Sequence, residues 1–408
     1  MLPLVEGLAV QGPLSDLKVV ELADMVSGPH AGKLLAAMGA DTVKVERPGT
    51  GDPARHQPPF PGDVPDLEKS GLFLYHNMGK RSVTLDVETA AGVRLFRELV
   101  ADADILLENH PPGWMAAHGL GYEELAELNP RLVFTSVTPF GQTGPYRDYL
   151  ASDLVTFATS GVGFYTFNLS DDGEPPSHAP GRVAEVMAGQ AAAEAALIAI
   201  FGRDVTGTGQ WVDISGMETM ANNLKLEAGP YVFTGKGPGR LLRDAAIAMQ
   251  PEPAADAYVY VLVVADAHWA GVKVAMGNPE WAESPLFATA ADRVANQDYM
   301  QVMLKEWYLQ HPAEEVVELL QANGVTAGPV YDIPQAMSHE TVRERDLFVE
   351  VDHPIAGPIT FPGAPARMTG TPFRTARAPL LGEHTGQVLA GLGYSAADLV
   401  HLSAAGVI

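Results

Sequence analysis

A glutamate at the start of a long apolar stretch is the first candidate for chemistry in this sequence. Residues 181–202 read GRVAEVMAGQAAAEAALIAIFG, and after Glu185 only Gln190 and Glu194 in this stretch are polar. A helix that is apolar on nearly all sides is a buried helix. Glu185 stands in its first turn, where free backbone N–H groups and the helix dipole favour a carboxylate. Two interpretations therefore stay open for Glu185, a structural cap and a nucleophile.

Other familiar catalytic groups are missing or lack their usual spacing. The chain has no cysteine, which excludes disulfides, thiolate metal ligands and thiol nucleophiles. Its 12 histidines show no HExxH or paired spacing, so we predict no metal site. The sequence has no GxSxG or GxxxxGK[ST] motif, and no GxGxxG opens a helix after the first strand. Carboxylate chemistry remains, with Asp153 and Glu185 as the main candidates and Asp86 and Glu108 as structural acids.

The elements around these acids alternate between strand and helix, which predicts an α/β fold with a parallel sheet. Ligands bind beyond the carboxyl ends of the strands in such sheets. Three Gly/Pro-rich loops, 47–53, 109–113 and 138–146, follow predicted strands, and we expect them to converge on one crevice. The predicted strands are 17–22, 41–46, 104–109, 132–137 and 211–215, and the predicted helices are 30–40, 88–101, 122–128 and 181–202.

The second part of the chain predicts a smaller domain. Residues 229–257 are punctuated by Gly and Pro, as at a domain boundary. A strand at 258–264 and helices at 269–276, 297–309 and 312–323 follow, so we predict an α+β domain at 225–325. Pro-rich extended segments then lead to a final helix near 384–391.

Charge and hydropathy limit the partners of this chain. Its 408 residues contain 50 acidic and 26 basic side chains, a formal net charge of −24. That balance argues against nucleic acid or an anionic membrane as the main partner, although a local basic pocket suffices for a phosphorylated ligand. The sequence shows neither a signal-peptide pattern at its start nor a long uninterrupted apolar run. We expect a cytoplasmic protein.

Motifs along nearly the whole chain fit one known family. They are VKVERPGTGD (43–52), NMGKRSVTLD (77–86), ENHPPG (108–113), GLGY (119–122), FGQTGPY (140–146), TGTGQWVDIS (206–215), MGNPEW (276–281), GPV (328–330) and LGEH (381–384). Together they resemble the class III CoA-transferases, the family of formyl-CoA transferase and carnitine CoA-transferase, to which α-methylacyl-CoA racemases are related.

The resemblance implies both a fold and a binding site. It implies a Rossmann-like large domain formed by residues 1–224 and the returning segment 326–408, an inserted small domain at 225–325, and an interlocked homodimer. CoA or acyl-CoA and a carboxylic acid would be the substrates, with no permanently bound cofactor. Arg47 would contact the nucleotide phosphates. The resemblance assigns the CoA site to Met25, Val26, Ser27, Arg47, Leu85, Asn109, His110, Phe140 and Gly141.

The resemblance also makes Glu185 a covalent nucleophile, although the family has an aspartate at this position. In that reaction Glu185 attacks an acyl-CoA thioester and CoA passes through an enzyme thioester to the acceptor acid. Asp153 would orient Glu185 or position the acceptor, and a helix cap ahead of Leu154 is its alternative role. A CoA-binding subunit of a hetero-complex is an alternative function.

Three departures from the family pattern bear on the reaction. Ala117 replaces an arginine of many members, and residues 249–253 stand where formyl-CoA transferase has a glycine loop, which argues against a formyl/oxalate substrate pair. Related racemases have a His–Asp pair where this chain has Ser152 and Asp153. A racemase or isomerase acting at the α-carbon remains the enzymatic alternative, although without that histidine it lacks one of its two bases.

Overall fold

The computed structural model describes residues 12–165, 175–237 and 251–408. Met249 and Gln250 of the predicted glycine-loop counterpart lie outside the described residues. Contacts divide the described chain into two units. The larger unit takes its residues from Met1–Gly163, His178–Leu224 and Asp346–Ile408, and the smaller from Phe164–Ser177 and Lys225–Arg345. The boundaries at 225 and 325 stay predictions.

The described part of the larger unit is built on a six-stranded sheet of order β3-β2-β1-β4-β5-β6. Every neighbouring pair of strands is parallel, which confirms the predicted parallel α/β fold. The order is that of doubly wound dinucleotide-binding folds. In such folds the strand order reverses between β1 and β4, and a crevice forms at that point. The strands are β1 Lys18–Leu22, β2 Asp41–Glu46, β3 Arg81–Thr84, β4 Ile105–Glu108, β5 Val133–Thr138 and β6 Gln210–Ser215.

Helices connect these strands, and 3-10 turns lie at Pro53–His56 and Pro61–Asp63. The Thr89 and Ser70 side chains cap two of the helices by accepting backbone N–H bonds. The helices are α1 Ser27–Ala37, α2 Gly71–His76, α3 Ala90–Val100, α4 Trp114–Ala117, α5 Tyr122–Leu128, α6 Asp153–Thr159, α7 Val162–Tyr165, α8 Val183–Thr206 and α9 Gly216–Ala221.

Helix α8 contains the predicted apolar helix, but it is buried mainly on its Ala/Gly face, where small residues bring it close to α1. Ala188, Ala192, Ala196 and Ala199 are buried in one core cluster with residues of α1 and the sheet. A Cβ at Gly189 would stand 2.4 Å from the backbone oxygen of Ser27, so only glycine permits this approach. By length and composition, α8 also has the character of a membrane span, but 44% of its most apolar stretch is buried inside the protein. One face of α8 is therefore part of the core, while Ile198, Phe201 and Val205 on another face are exposed.

The chain returns to the larger unit after residue 345. A hairpin of β10 Phe348–His353 and β11 Gly357–Pro362 is followed by helices α17 Thr385–Gly391 and α18 Ala396–Ala404. The Thr385 hydroxyl accepts a 2.9 Å bond from the Thr84 N–H, and the Gly382 N–H donates 2.9 Å to Ser82 Oγ. These bonds fix the C-terminal residues against the edge strand β3.

The described part of the smaller unit has a three-stranded antiparallel sheet of order β7-β8-β9. Its core joins β-branched side chains of β8 to aromatic and aliphatic side chains of the helices, including Trp269, Phe287 and Leu304. The elements are α10 Lys225–Thr234, β7 Pro251–Pro253, β8 Tyr258–Leu262, α11 Asp266–Ala275, α12 Ala290–Ala295, α13 Gln297–Tyr308, α14 Ala313–Ala322, β9 Thr326–Val330, α15 Ile333–Ser338 and α16 Glu340–Glu344, with 3-10 turns at Glu280–Glu283 and Pro285–Phe287.

Candidate functional site

Glu185 is the third residue of α8 and lines a cavity of about 130 Å³. Arg182 occupies the N-cap position with φ 56° and ψ 47°, a left-handed conformation, and gives the helix no side-chain cap. The N–H groups of Val183 and Ala184 lie in the first turn of α8, where a helix supplies no acceptor of its own. The cavity is lined by Ser27, Asn109, Val137, Thr138, Pro139, Ala151, Ser152, Thr156, Ala184, Glu185, Ala188 and Gly216.

Asp153, the first residue of α6, links Glu185 to a histidine. Its Oδ1 accepts the Glu185 backbone N–H at 3.0 Å, and its Oδ2 lies 3.0 Å from Nε2 of His178. Asp153 is only 6% exposed. The expected neighbourhood of Asp153 and Glu185 is therefore present, whereas His178 was missed, because 25 residues separate it from Asp153 and no motif connects the two.

Burial and the neighbouring Arg182 shift the pKa of Glu185 in opposite directions. Burial raises the pKa of the Glu185 carboxyl above its usual value, and Asp153 adds to this effect. The Arg182 guanidinium opposes it, because its Nη1 lies 3.2 Å from Oε2 of Glu185. An ionised Glu185 is a nucleophile and a protonated one is not. Arg182 therefore favours the reactive form.

Asn109 and Ser27 connect this cavity to the reversal point of the sheet. Asn109 follows β4, and its Nδ2 donates to the Asp24 carbonyl at 2.7 Å and to Ser27 Oγ at 3.2 Å. Its Oδ1 accepts the Asp24 N–H at 2.9 Å. These three bonds fix the segment after β1 against the segment after β4, where ligands bind in such sheets.

A second cavity of about 340 Å³ brings Arg47, Leu85 and His110 together. The rings of His110 and Trp114 stack with centroids 3.9 Å apart, and burial lowers the pKa of His110 to about 4. This neutral stacked pair offers a planar surface suited to a flat heterocycle. The lining residues are Leu22, Asp24, Val45, Glu46, Arg47, Thr50, Gly51, Pro53, Leu85, Asp86, Val87, Glu88, His110 and Trp114.

Met25, Val26, Phe140 and Gly141 lie outside the linings of both cavities. Met25 has a φ of 66° and donates its N–H to Asp52 Oδ1 at 2.9 Å, while Val26 is buried. Phe140 contacts Tyr146 edge to face, and Gly141 has a φ of 83°. Their contacts with CoA, like those of the other assigned residues, stay predictions.

The predicted structural acids have different surroundings. Glu108 is buried at the end of β4, accepts the His110 N–H at 2.8 Å, and has its pKa raised to about 7 by burial. Asp86 lines the second cavity. Across the described ranges, no group of three or more His, Asp or Glu side chains is arranged to hold a metal ion.

A buried ionic network lies beneath the loops that carry these cavities. Lys44 of β2 contacts Glu21 at 3.1 Å and Asp52 at 2.8 Å, and all three side chains are fully buried. Lys44 also donates to the Ala23 carbonyl at 2.6 Å, and Lys80 contacts Glu21 at 2.7 Å. Because Asp52 accepts the Met25 N–H, this network fixes the backbone that follows β1.

The model of CoA-transferase family III matches residues 14–385 of this chain. The chain belongs to this family. It is 34% identical to succinate–glutarate CoA-transferase of Agrobacterium fabrum, over 93% of this chain and 96% of that protein. It is 35% identical to succinyl-CoA:mesaconate CoA-transferase of Haloarcula hispanica, over 94% and 97%. A crystal structure of a CAIB/BAIF family protein from Brucella suis has a TM-score of 0.83 and 30% identity, covering 94% of this chain and all of that one.

CoA-transferases of this family use CoA thioesters as substrates, and binding of CoA in the crevice after β1, β2 and β4 stays a prediction. In the second cavity, the cation predicted to bind phosphate is already paired with a carboxylate. Arg47 is 62% exposed at its side chain, and its Nη2 is paired with Oε1 of Glu88 at 2.5 Å. A phosphate bound to Arg47 has to compete with this carboxylate.

Replacement of Glu88 by Gln is therefore expected to tighten CoA binding. Exposed ion pairs contribute at most about 1 kcal/mol, so the dissociation constant falls by up to about fivefold. Titration calorimetry with CoA at low salt measures the effect, which shrinks as salt screens the charges. Glu123→Gln, the same change on the exposed face of α5, is the control. Unchanged or weaker binding by Glu88→Gln would contradict a phosphate contact for Arg47.

Proposed function

We propose that this protein transfers CoA from an acyl-CoA thioester to a carboxylic acid, with Glu185 as the covalent nucleophile. The observation that carries the proposal is the position of Glu185 in the first turn of α8. There it lines a cavity with Ser27 and Asn109, at the reversal point of the sheet. Family membership supports the reaction class, and the geometry supports the choice of residue.

The proposed reaction conserves the energy of the thioester. Glu185 attacks the acyl carbonyl, CoA thiolate leaves, and an acyl–glutamyl anhydride forms. The thiolate then attacks the glutamyl carbonyl, releasing the donor acid and forming a glutamyl–CoA thioester. The acceptor carboxylate attacks this thioester, which releases the thiolate and forms a second anhydride. Attack of the thiolate on the acceptor acyl carbonyl gives the new acyl-CoA and restores Glu185.

Each step passes through a tetrahedral oxyanion near the start of α8. The N–H groups of Val183 and Ala184 are unsatisfied within the helix and lie at the positive end of its dipole. Donors fixed at such a position stabilise the oxyanion more than the ground state. The mechanism uses CoA only as a substrate and needs no permanently bound cofactor, and we place it in the cytoplasm.

A dicarboxylic acyl-CoA is the proposed class of donor. Both relatives described above carry succinate or succinyl-CoA in their names. Arg182 borders Glu185 with 39% of its side chain exposed, which supports a contact with a distal carboxylate. A screen of succinyl-CoA, glutaryl-CoA and acetyl-CoA against a set of carboxylic acids tests this class. A preference for acetyl-CoA would contradict it.

The covalent step is tested by trapping. The enzyme is incubated with its acyl-CoA donor, treated with hydroxylamine or borohydride, and digested for peptide mass analysis. We expect a modification confined to the peptide that contains Glu185. An unmodified Glu185 in an enzyme that turns over would contradict the covalent mechanism.

Replacement of Arg182 by Gln is expected to make the enzyme more sensitive to acid. Burial raises the pKa of Glu185 and Arg182 lowers it, so removing Arg182 raises that pKa further. Less of the carboxylate is then ionised at low pH, and the acid limb of the kcat/KM profile moves to higher pH. Activity at about pH 5, relative to that at about pH 8, should fall at least about twofold. Arg94→Gln on the exposed face of α3 is the control, and an unmoved acid limb would contradict the assignment.

Racemisation or isomerisation at the α-carbon is the second candidate function. No histidine precedes Asp153 in the sequence, but Nε2 of His178 lies 3.0 Å from the Asp153 carboxylate. Incubation of acyl-CoA in deuterated water without an acceptor acid distinguishes the two reactions. Exchange of the α-proton supports racemisation, and transfer that requires an acceptor supports the CoA-transferase.

A homodimer is part of the proposal. Ile198, Phe201 and Val205 form a stripe on α8 at helical spacing and are 72%, 75% and 79% exposed. Such an apolar stripe is typical of a surface covered by a partner. Light scattering measures the mass in solution, and a mass equal to one chain would contradict the dimer. A mass that requires a second kind of chain would instead favour the hetero-complex.

A further inference from the structure

The start of α8 receives its cap from another helix. Helix N-termini are usually capped by the N-cap side chain, which accepts the N–H of the second or third helical residue. Arg182 holds the N-cap position and gives no such bond. Asp153 of α6 takes this role, because its Oδ1 accepts the N–H of Glu185, the third residue of the helix. The backbone of the proposed nucleophile therefore depends on the orientation of the Asp153 carboxylate.

His178 fixes that orientation from the opposite side. Its Nε2 lies 3.0 Å from the second oxygen of Asp153, so the two oxygens of one carboxylate have different fixed partners. The His178 ring also meets the buried Phe157 edge to face, with centroids 4.9 Å apart. Phe157 belongs to a small core cluster with Ala184, the residue before Glu185. Hydrogen bonding and packing thus join His178 to the first turn of α8.

We propose that His178 is a positioning residue for Glu185, acting through Asp153. By holding Asp153 Oδ2, His178 keeps Oδ1 on the Glu185 N–H and so sets the direction in which the glutamate enters its cavity. The proposal rests on the proposed role of Glu185 as the nucleophile. Its energetic basis is that a nucleophile displaced by about 1 Å loses on the order of a hundredfold in rate.

Replacement of His178 by Ala is expected to lower kcat about tenfold while KM for acyl-CoA stays within about twofold, because alignment is lost and substrate contacts are not. His178→Gln should recover most of kcat, since its amide N–H reaches the same carboxylate oxygen. Hydrogen exchange followed by mass spectrometry should show faster exchange in the first turn of α8 in His178→Ala. The melting temperature should remain within about 2 °C of the wild type.

His401→Ala, on the exposed helix α18, is the matched control and should change neither kcat nor the exchange in α8. The proposal is overturned if His178→Ala leaves both kcat and the exchange at the start of α8 unchanged, or if Gln rescues neither. A wild-type enzyme that shows no transfer and no Glu185 adduct refutes the nucleophile. Unaltered exchange in His178→Ala separately refutes the link through Asp153.

Discussion

Replacement of Glu185 by Gln is expected to lower CoA transfer at least about a thousandfold. Glutamine keeps the shape of the side chain but has no carboxylate oxygen to attack the thioester. The losses seen when a covalent nucleophile is removed from an enzyme are of this size or greater. Steady-state transfer measures the loss, and the hydroxylamine-trapped adduct should disappear with it.

Two further variants sharpen this test. Glu194→Gln changes an exposed carboxylate on the same helix and should leave kcat within about twofold, since its partner is Gln190 and not the cavity. Glu185→Asp restores the residue of the family pattern but withdraws the carboxylate by one methylene. We expect a loss on the order of tenfold to a hundredfold, because a nucleophile displaced by about 1 Å is no longer aligned with the thioester carbonyl. Equal activity of Glu185→Gln and the wild type would refute the nucleophile.

Replacement of Lys44 by Met is expected to have the largest effect on stability. Lys44 lies between Glu21 and Asp52 with no exposed surface, and methionine leaves Asp52 buried without its cation, while Glu21 keeps its contact with Lys80. Removing one partner of a buried ion pair costs about 3–5 kcal/mol, which lowers the melting temperature by roughly 10 °C in a unit of this size. Thermal unfolding followed by circular dichroism measures the change.

The stability that Lys44 contributes through Asp52 depends on pH. Burial opposes ionisation of Asp52, but Lys44 outweighs burial and holds the pKa of Asp52 below its usual value. A carboxylate with a lowered pKa stabilises the fold above its unfolded pKa, and this contribution is lost as the pH falls through the folded pKa. The stability difference between wild type and Lys44→Met should therefore shrink in acid.

The surface offers a matched control for Lys44. Arg81 of β3 pairs at 2.6 Å with Asp41 of β2, the strand that carries Lys44, and both side chains are partly exposed. Exposed pairs contribute at most about 1 kcal/mol, so Arg81→Met should lower the melting temperature only slightly. Similar effects of Lys44→Met and Arg81→Met would contradict the structural role of the buried network.

Elements with strong apolar patterns could be predicted from the sequence. The predicted strand 41–46 and helix 122–128 coincide with β2 and α5. The sequence predicts Pro-rich extended chain where the structure has the hairpin β10–β11, because the pairing of the two strands cannot be read from local composition. Helix α18, which begins with a capping box of Ser395 and Asp398, was missed although that signal was present.

The part of the candidate site that could be predicted is the part in which a single residue occupies a recognisable position in one element. Glu185 follows from its place at the start of an apolar helix. The Arg47–Glu88 pair and the His178–Asp153 contact depend on side chains that tertiary folding brings together across 41 and 25 residues. Neither contact can be predicted from local sequence spacing. Glu88 competes for Arg47, and His178 binds the carboxylate that holds the Glu185 backbone.

The missing side chain at Gly189 determines how closely two parts of the proposed site approach each other. The backbones of α1 and α8 touch there, and α1 begins with Ser27 while α8 carries Glu185. The distance between the two helix backbones depends on Gly189 having only a hydrogen atom where every other residue has a Cβ. Any side chain at position 189 would push the two backbones apart and so change the separation between Ser27 and the start of α8.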